Sequence, residues 1–184
     1  MPTAKAVMSG CRLEMSDNAF EYVNSWQCMA PAEADAVRAF WIREQANVVG
    51  PEAVRRVQQA VMRVIDTDSG ELAAISTAEP RTIPRLRQPM YYYRCFIGKA
   101  WRGRNLPRPL LHHSFDVLEQ WSRQHGYPCI GVLLELENDG FARALQRACW
   151  RGWPGVDFVF IGCSRRGLDL RVSYFRGACL QKPR

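Results

Sequence analysis

Met90-Tyr-Tyr-Tyr-Arg-Cys-Phe-Ile97 leads without a break into Gly98-Lys-Ala-Trp-Arg-Gly-Arg-Asn-Leu-Pro107. That stretch opens a segment whose apolar positions Leu110, Leu111, Phe115, Leu118 and Trp121 share one helical face. The first part, rich in Tyr, Phe and Ile, reads as a strand. Gly, Asn and Pro set close together read as a tight turn, and the helix then runs to about residue 124. A turn that ends a strand and opens a helix presents unpaired backbone N–H groups, and the helix dipole adds to their pull on an anion.

The charge pattern centres on the same place. The chain of 184 residues carries a net charge of +7. Residues 80–115 contain no Asp or Glu, while Arg81, Arg85, Arg87, Arg94, Lys99, Arg102, Arg104 and Arg108 contribute +8, so the rest of the chain is close to neutral. One cationic segment on a near-neutral domain points to an anionic ligand or partner there. Because only Lys5, Lys99 and Lys182 are lysines, compositional bias towards arginine explains part of the excess.

The rest of the sequence bounds the class. At 47% hydrophobic and 23% charged, residues 1–184 make a single domain with an ordinary core, residues 1–19 forming an N-terminal extension. No run approaches the ~18 apolar residues of a membrane span. Seven cysteines with no Cys-x-x-Cys predict reduced, mostly buried thiols in a cytoplasmic setting rather than a disulfide framework or a zinc site. With only His112, His113 and His125, no histidine metal centre is expected.

Along the chain, residues 20–29 read as a strand, and 31–47 and 51–59 as helices. Residues 61–65 and 72–77 form a hairpin around Asp66-Thr-Asp-Ser-Gly70, and 80–89 a Pro- and Arg-rich loop. Residues 129–136 are apolar throughout, as in a central buried strand. Residues 139–150 read as a helix ended by Gly152-Trp-Pro-Gly, and 157–163 and 168–175 as a closing hairpin. The order β α α β β β α β α β β is an α+β pattern.

That order and the turn after Ile97 resemble the GCN5-related N-acetyltransferase (GNAT) family over residues 20–175. In the family's acetyl-coenzyme A signature, V-x-P-x-Y-R-G-x-G-x-G, the positions matched in register are Ile97, Trp101, Arg102 and Gly103. Leu-Glu-Leu-Glu-Asn138 followed by an Ala-rich stretch and Gly152-Trp153 is similar to a second family region. Two signature glycines are Asn105 and Pro107 here; Asn tolerates a left-handed backbone, whereas Pro has no N–H to offer.

The resemblance implies a mixed, mainly antiparallel twisted sheet of about six to seven strands flanked by about four helices. It implies N-acyl transfer from acetyl-CoA or another acyl-CoA to an amine, by direct attack in a ternary complex and without a metal. The donor would lie on Phe96, Ile97, Gly98, Lys99, Arg102, Gly103, Arg104, Asn105, Leu106, Arg108 and Asn138. For the chemistry, Tyr91 and Tyr93 share a face with Ile97 by strand alternation, and Glu135 and Glu137 are the nearest carboxylates on the next strand. Two alternatives stay open: an acyl carrier protein as donor, and a catalytically weak or inactive domain that binds nucleic acid or a protein through its arginines. Arg81, Arg85 and Arg87 are the candidates for such an anionic partner, the amine acceptor is unidentified, and a homodimer is left open. His112-His113-Ser-Phe-Asp116 and the Arg143, Arg147, Arg151 series read as surface features, and Cys149 as a small buried residue.

Overall fold

The computed structural model describes residues 15–17, 19–137 and 146–182. The chain opens with β1 (Met15–Asp17) and β2 (Phe20–Asn24), then α1 (Pro31–Arg43) and α2 (Gly50–Val57). Next come β3 (Ala60–Asp66), β4 (Leu72–Ile83), β5 (Gln88–Ile97), a 3₁₀ turn (Lys99–Trp101) and α3 (Pro107–Gln124). It closes with β6 (Gly131–Glu135), β7 (Cys149–Trp153), β8 (Val156–Cys163) and β9 (Asp169–Tyr174).

The strands form one nine-stranded sheet in the order β1-β2-β3-β4-β5-β6-β9-β8-β7. Every pairing is antiparallel except β5 with β6, because α3 carries the chain from the end of β5 back to the start of β6. The expected α+β architecture is present, with more strands than anticipated and three α-helices among the described residues.

α1 starts with Pro31 at its first position, and the Glu33 carboxylate accepts the Ala30 N–H (2.8 Å), satisfying one of the helix's free donors. Its buried residues Ala34, Val37, Phe40 and Trp41 pack with α2 residues Ala53 and Val57 against Ile75 of β4, on one side of the sheet. α3 buries Leu110, Leu111, Phe115 and Leu118 against Val64, Ala74, Tyr91 and Val132 on the other. It stops at Gly126, whose φ of 70° suits the left-handed residue that closes a helix. Among the described residues no helix is long and apolar enough to cross a membrane.

Three local expectations change. Residues 80–89 are mostly strand: β4 runs to Ile83, β5 starts at Gln88, and Pro80 faces Tyr91 while Thr82 faces Pro89. Pro80 lies past the last β3–β4 pair, Ala60 with Thr77, so its missing N–H deprives no partner on that side. Residues 149–153 form edge strand β7, not a helix end; Trp150 stacks on Phe158 with ring centroids 5.3 Å apart, and Pro154-Gly155 makes the turn to β8. Residues 139–145 of that expected helix lie outside the described residues. Finally, the six described cysteines are free, but only Cys129 is buried; Cys149 is exposed on β7.

Candidate active site

The site originates in one mismatch of strand pairing. β5 keeps its register with β4 all the way from Gln88 to Ile97. With β6 it pairs only through Tyr91, Tyr92 and Tyr93, opposite Val132, Leu133 and Leu134. Beyond that point β6 stays with β9, Glu135 facing Leu170. The two parallel strands therefore splay, and the β6-side edge of β5 from Arg94 to Ile97 opens into a gap.

Two clefts meet at this gap. The first, about 480 Å³, lies on the α3 side and is lined by Tyr93, Ile97, Trp101, Arg102, Gly103 and Leu134 among others. The second, about 700 Å³, lies on the α1–α2 side and reaches Trp41, Arg56, Arg81 and Arg166. Tyr92, Arg94, Cys95, Phe96, Glu135 and Glu137 border both.

The turn after β5 is held from several directions. The Gly98 N–H donates to the Ala73 carbonyl (2.9 Å) and the Lys99 N–H to the Glu44 carboxylate (2.8 Å). Trp101 is buried, and its indole N–H donates to Asp66 Oδ2 (2.6 Å). That bond, with the Ser69 N–H on Oδ1, holds the Asp66 carboxyl below the usual range. Gly103 (φ 84°) and Asn105 (φ 56°) then take left-handed conformations, as the asparagine at a signature glycine position leads one to expect. Among the described residues, the N–H groups of Gly103, Asn105, Leu106 and Arg108 donate to no backbone carbonyl. Pro107 and Pro109 both fall in the first turn of α3, so this helix start offers two N–H donors fewer than an ordinary one.

The residues expected to bind the donor separate into groups. Phe96, Ile97, Arg102 and Gly103 line the first cleft. Gly98 and Leu106 are buried parts of the turn, and Arg104 is exposed beside it. Two basic residues are engaged elsewhere: Lys99 Nζ donates to Gln45 Oε1 (3.0 Å), and Arg108 Nη2 to the Gly152 carbonyl (2.7 Å). Asn138 lies outside the described residues.

Of the tyrosines, Tyr93 reaches the first cleft with a buried hydroxyl that has no hydrogen-bond partner among the described residues. The neighbouring Ser76 and Ser114 hydroxyls bond each other (2.7 Å). Tyr91 lines neither cleft; it is 1% exposed, packs edge-on to Trp26, and burial pushes its hydroxyl up to about 12. The tyrosine missed from the sequence is Tyr92, on the opposite face, whose hydroxyl donates to Glu135 Oε2. Burial and that acceptor raise the Tyr92 pKa. Burial opposes ionisation of Glu135 too, but hydrogen bonds from Ser164 and Tyr92 and the guanidinium groups of Arg166 and Arg81 outweigh it and hold the carboxyl below its usual range. Glu137 is exposed and paired with Arg166 (2.6 Å). Strand alternation did contain this signal, since it sends Tyr92 and Glu135 to the face opposite Tyr93 and Ile97.

Among the expected partner-binding arginines, Arg81 pairs with Glu79, which Arg94 also binds, and the guanidinium carbons of Arg81 and Arg94 lie 3.9 and 4.5 Å from the Tyr92 ring centroid. Arg85 donates to the Ile161 carbonyl, and the next residue, Gly162, takes φ 113°, a conformation that favours glycine. Arg87 is exposed in the β4–β5 turn. His112 pairs with Asp116 (3.5 Å) and packs on Trp153, while His113 packs on Tyr22. These histidines join α3 to the sheet away from both clefts.

This overall architecture is shared with solved structures. Ribosomal-protein-S5-alanine acetyltransferase from Vibrio fischeri superposes with a TM-score of 0.56 at 10% identity, over 90% of this chain and 98% of its own. A protein from Bordetella pertussis described as of the GNAT family gives 0.54 at 16% identity, over 89% and 99%. The chain has the GNAT acetyltransferase fold. The yncA structure from Salmonella typhimurium, solved with its cofactor acetyl-CoA, gives a TM-score of 0.51 at 14% identity, over 90% and 99%. No family model matches the sequence, and no curated protein matches it.

Proposed function

We propose that the protein is an acyl-coenzyme A dependent N-acyltransferase in which donor and acceptor approach the β5–β6 splay from opposite clefts. The observation that carries this reading is the junction itself: an apolar cleft beside a turn with free N–H groups meets a cleft lined by charged side chains at Arg94–Phe96 and Glu135. The residues present suit the donor. Gly103, Asn105, Leu106 and Arg108 offer backbone N–H groups to phosphate oxygens, with Arg102 and Arg104 alongside. Tyr93, Ile97 and Leu134 offer apolar surface to the pantetheine arm.

In the transfer, the amine nitrogen attacks the thioester carbonyl, the C–N bond forms, and the C–S bond breaks to release the thiolate. The free β5 edge supplies backbone donors for the carbonyl oxygen as it becomes an oxyanion. Glu135, ionised at neutral pH, holds the acceptor ammonium; the nitrogen gives one proton to solvent to become a neutral amine, and its second proton passes to Glu135 as the C–N bond forms. A thiolate is a good leaving group and departs without a dedicated acid.

A second reading, a phosphopantetheine donor on an acyl carrier protein, is favoured by Pro107 and Pro109, which leave fewer donors for a pyrophosphate. Thermal unfolding separates the two. Coenzyme A at a hundred times its Kd is expected to add about 2.7 kcal/mol of stability, with phosphopantetheine adding far less. Equal shifts would favour the carrier-protein donor, and no shift with either ligand would contradict both readings.

A further inference from the structure

Taking acyl transfer at the splay as given, the second cleft carries information about the acceptor. Its walls hold Arg56, Arg81, Arg94 and Arg166 against Glu135 and Glu137. Arg56 binds one oxygen of Glu52 (2.9 Å), whose other oxygen binds Arg55, an exposed residue outside the cleft lining, and Arg166 is matched by Glu137 (2.6 Å). Arg81 and Arg94 are not matched one to one. Both bind the same oxygen of Glu79, whose other oxygen accepts from Gln59 Nε2 (3.0 Å). One carboxylate thus serves two guanidinium groups, and the trio keeps a charge of +1 beside the cleft. Each guanidinium has five N–H donors, so most remain for a ligand.

The Tyr92 ring joins this cationic pair to the reaction point. Arg81 and Arg94 lie against the ring, and its hydroxyl donates to Glu135. An excess positive charge and an ionised carboxylate therefore sit one tyrosine side chain apart. A cleft of about 700 Å³ lies within the ~300–1,000 Å³ of small-molecule sites.

We propose that the acceptor is a small amine bearing a carboxylate or phosphate a few bonds from its nitrogen. The anion rests on Arg81 and Arg94, and the amine lies at Glu135 beside the splay. Charge complementarity at both ends orients the nitrogen towards the donor and disfavours amines that lack the anion.

The test is calorimetric titration of matched amines into the protein saturated with coenzyme A. One pair is an α-amino acid and its amide; the other is an aminoalkyl phosphate and the parent amino alcohol. The anionic member of at least one pair is expected to bind roughly tenfold more tightly, and the pair with the larger preference identifies the anion. In Arg81→Gln the preference collapses while coenzyme A affinity is kept, and Arg81→Lys, which keeps the charge, retains it. Equal affinity within both pairs, preference for the neutral members, or binding of a polyanion such as RNA with no small anionic amine bound would overturn the inference. Failure of coenzyme A itself to bind would overturn the acyl-transfer reading instead.

Discussion

Tyr92 and Tyr93 are neighbours in sequence and face opposite clefts. Tyr93 borders the α3-side cleft with a buried hydroxyl that has no hydrogen-bond partner among the described residues, while Tyr92 donates to Glu135 beside the α1–α2-side cleft. A hydrogen bond to a carboxylate favours its charged form. Removing it in Tyr92→Phe should therefore raise the Glu135 pKa towards its usual value and move the acidic limb of the kcat/KM profile to higher pH. A pH–rate profile checks this, and an unmoved acidic limb would mean that Glu135 does not titrate in catalysis. Strand alternation in the sequence led to Tyr93, and the family resemblance to Glu135 and Glu137, all three of which border the clefts. It did not exclude Tyr91, because three consecutive tyrosines look alike until the ladder ends, and the last β5–β6 pair is Tyr93 with Leu134.

The turn after β5 owes its position to a side chain more than thirty residues away. Asp66 accepts the Trp101 indole N–H and, through its other oxygen, the N–H groups of Asp68 and Ser69 in the β3–β4 turn. It acts on the turn by positioning Trp101. Asp66→Ala should weaken coenzyme A binding, whereas Asp66→Asn, which keeps an acceptor oxygen, should restore it; calorimetry on both variants reads the difference. The Asp66 pKa is lowered from 3.8 in the folded protein. Its contribution is therefore present above about pH 4 and is lost as pH falls through the lowered value. The left-handed Asn105 and the anion-ready helix start were legible as turn chemistry. The Asp66–Trp101 bond was not, because nothing in the sequence pairs a hairpin aspartate with a tryptophan of another element. Pro109 was visible in the sequence, but its cost in donors follows only from the observed helix start at Pro107.

At the scale of the molecule, the sheet is two antiparallel halves joined by three parallel pairs, and side chains tie the halves together. Arg108 on α3 reaches the Gly152 carbonyl of β7, Arg85 in the β4–β5 turn reaches Ile161 of β8, and Gln88 exchanges bonds with Gln181. Arg108→Ala is accordingly expected to cost about 1–2 kcal/mol in urea unfolding while leaving coenzyme A affinity nearly unchanged. Strong loss of affinity at full stability would return Arg108 to the phosphates. The order of the main elements was readable from periodicity and turn residues, including the α3 crossover that makes β5 and β6 parallel. The continuation of β4 and β5 past Pro80 and Pro89 was not, because proline weakens a strand reading unless its free side is known. β7 was also obscured: Cys-Trp-Arg-Gly-Trp does not alternate cleanly, its ladder being shifted between Arg151 and Trp153, and it follows an Ala-rich stretch that reads as helix. The measurement that tests the splay as the point of transfer most directly is a crystal structure with acetyl-CoA bound. The pantetheine arm is expected in the α3-side cleft, with the acetyl group between Arg94–Phe96 and Glu135; an acetyl group elsewhere, or the cofactor in the α1–α2 cleft, would contradict it.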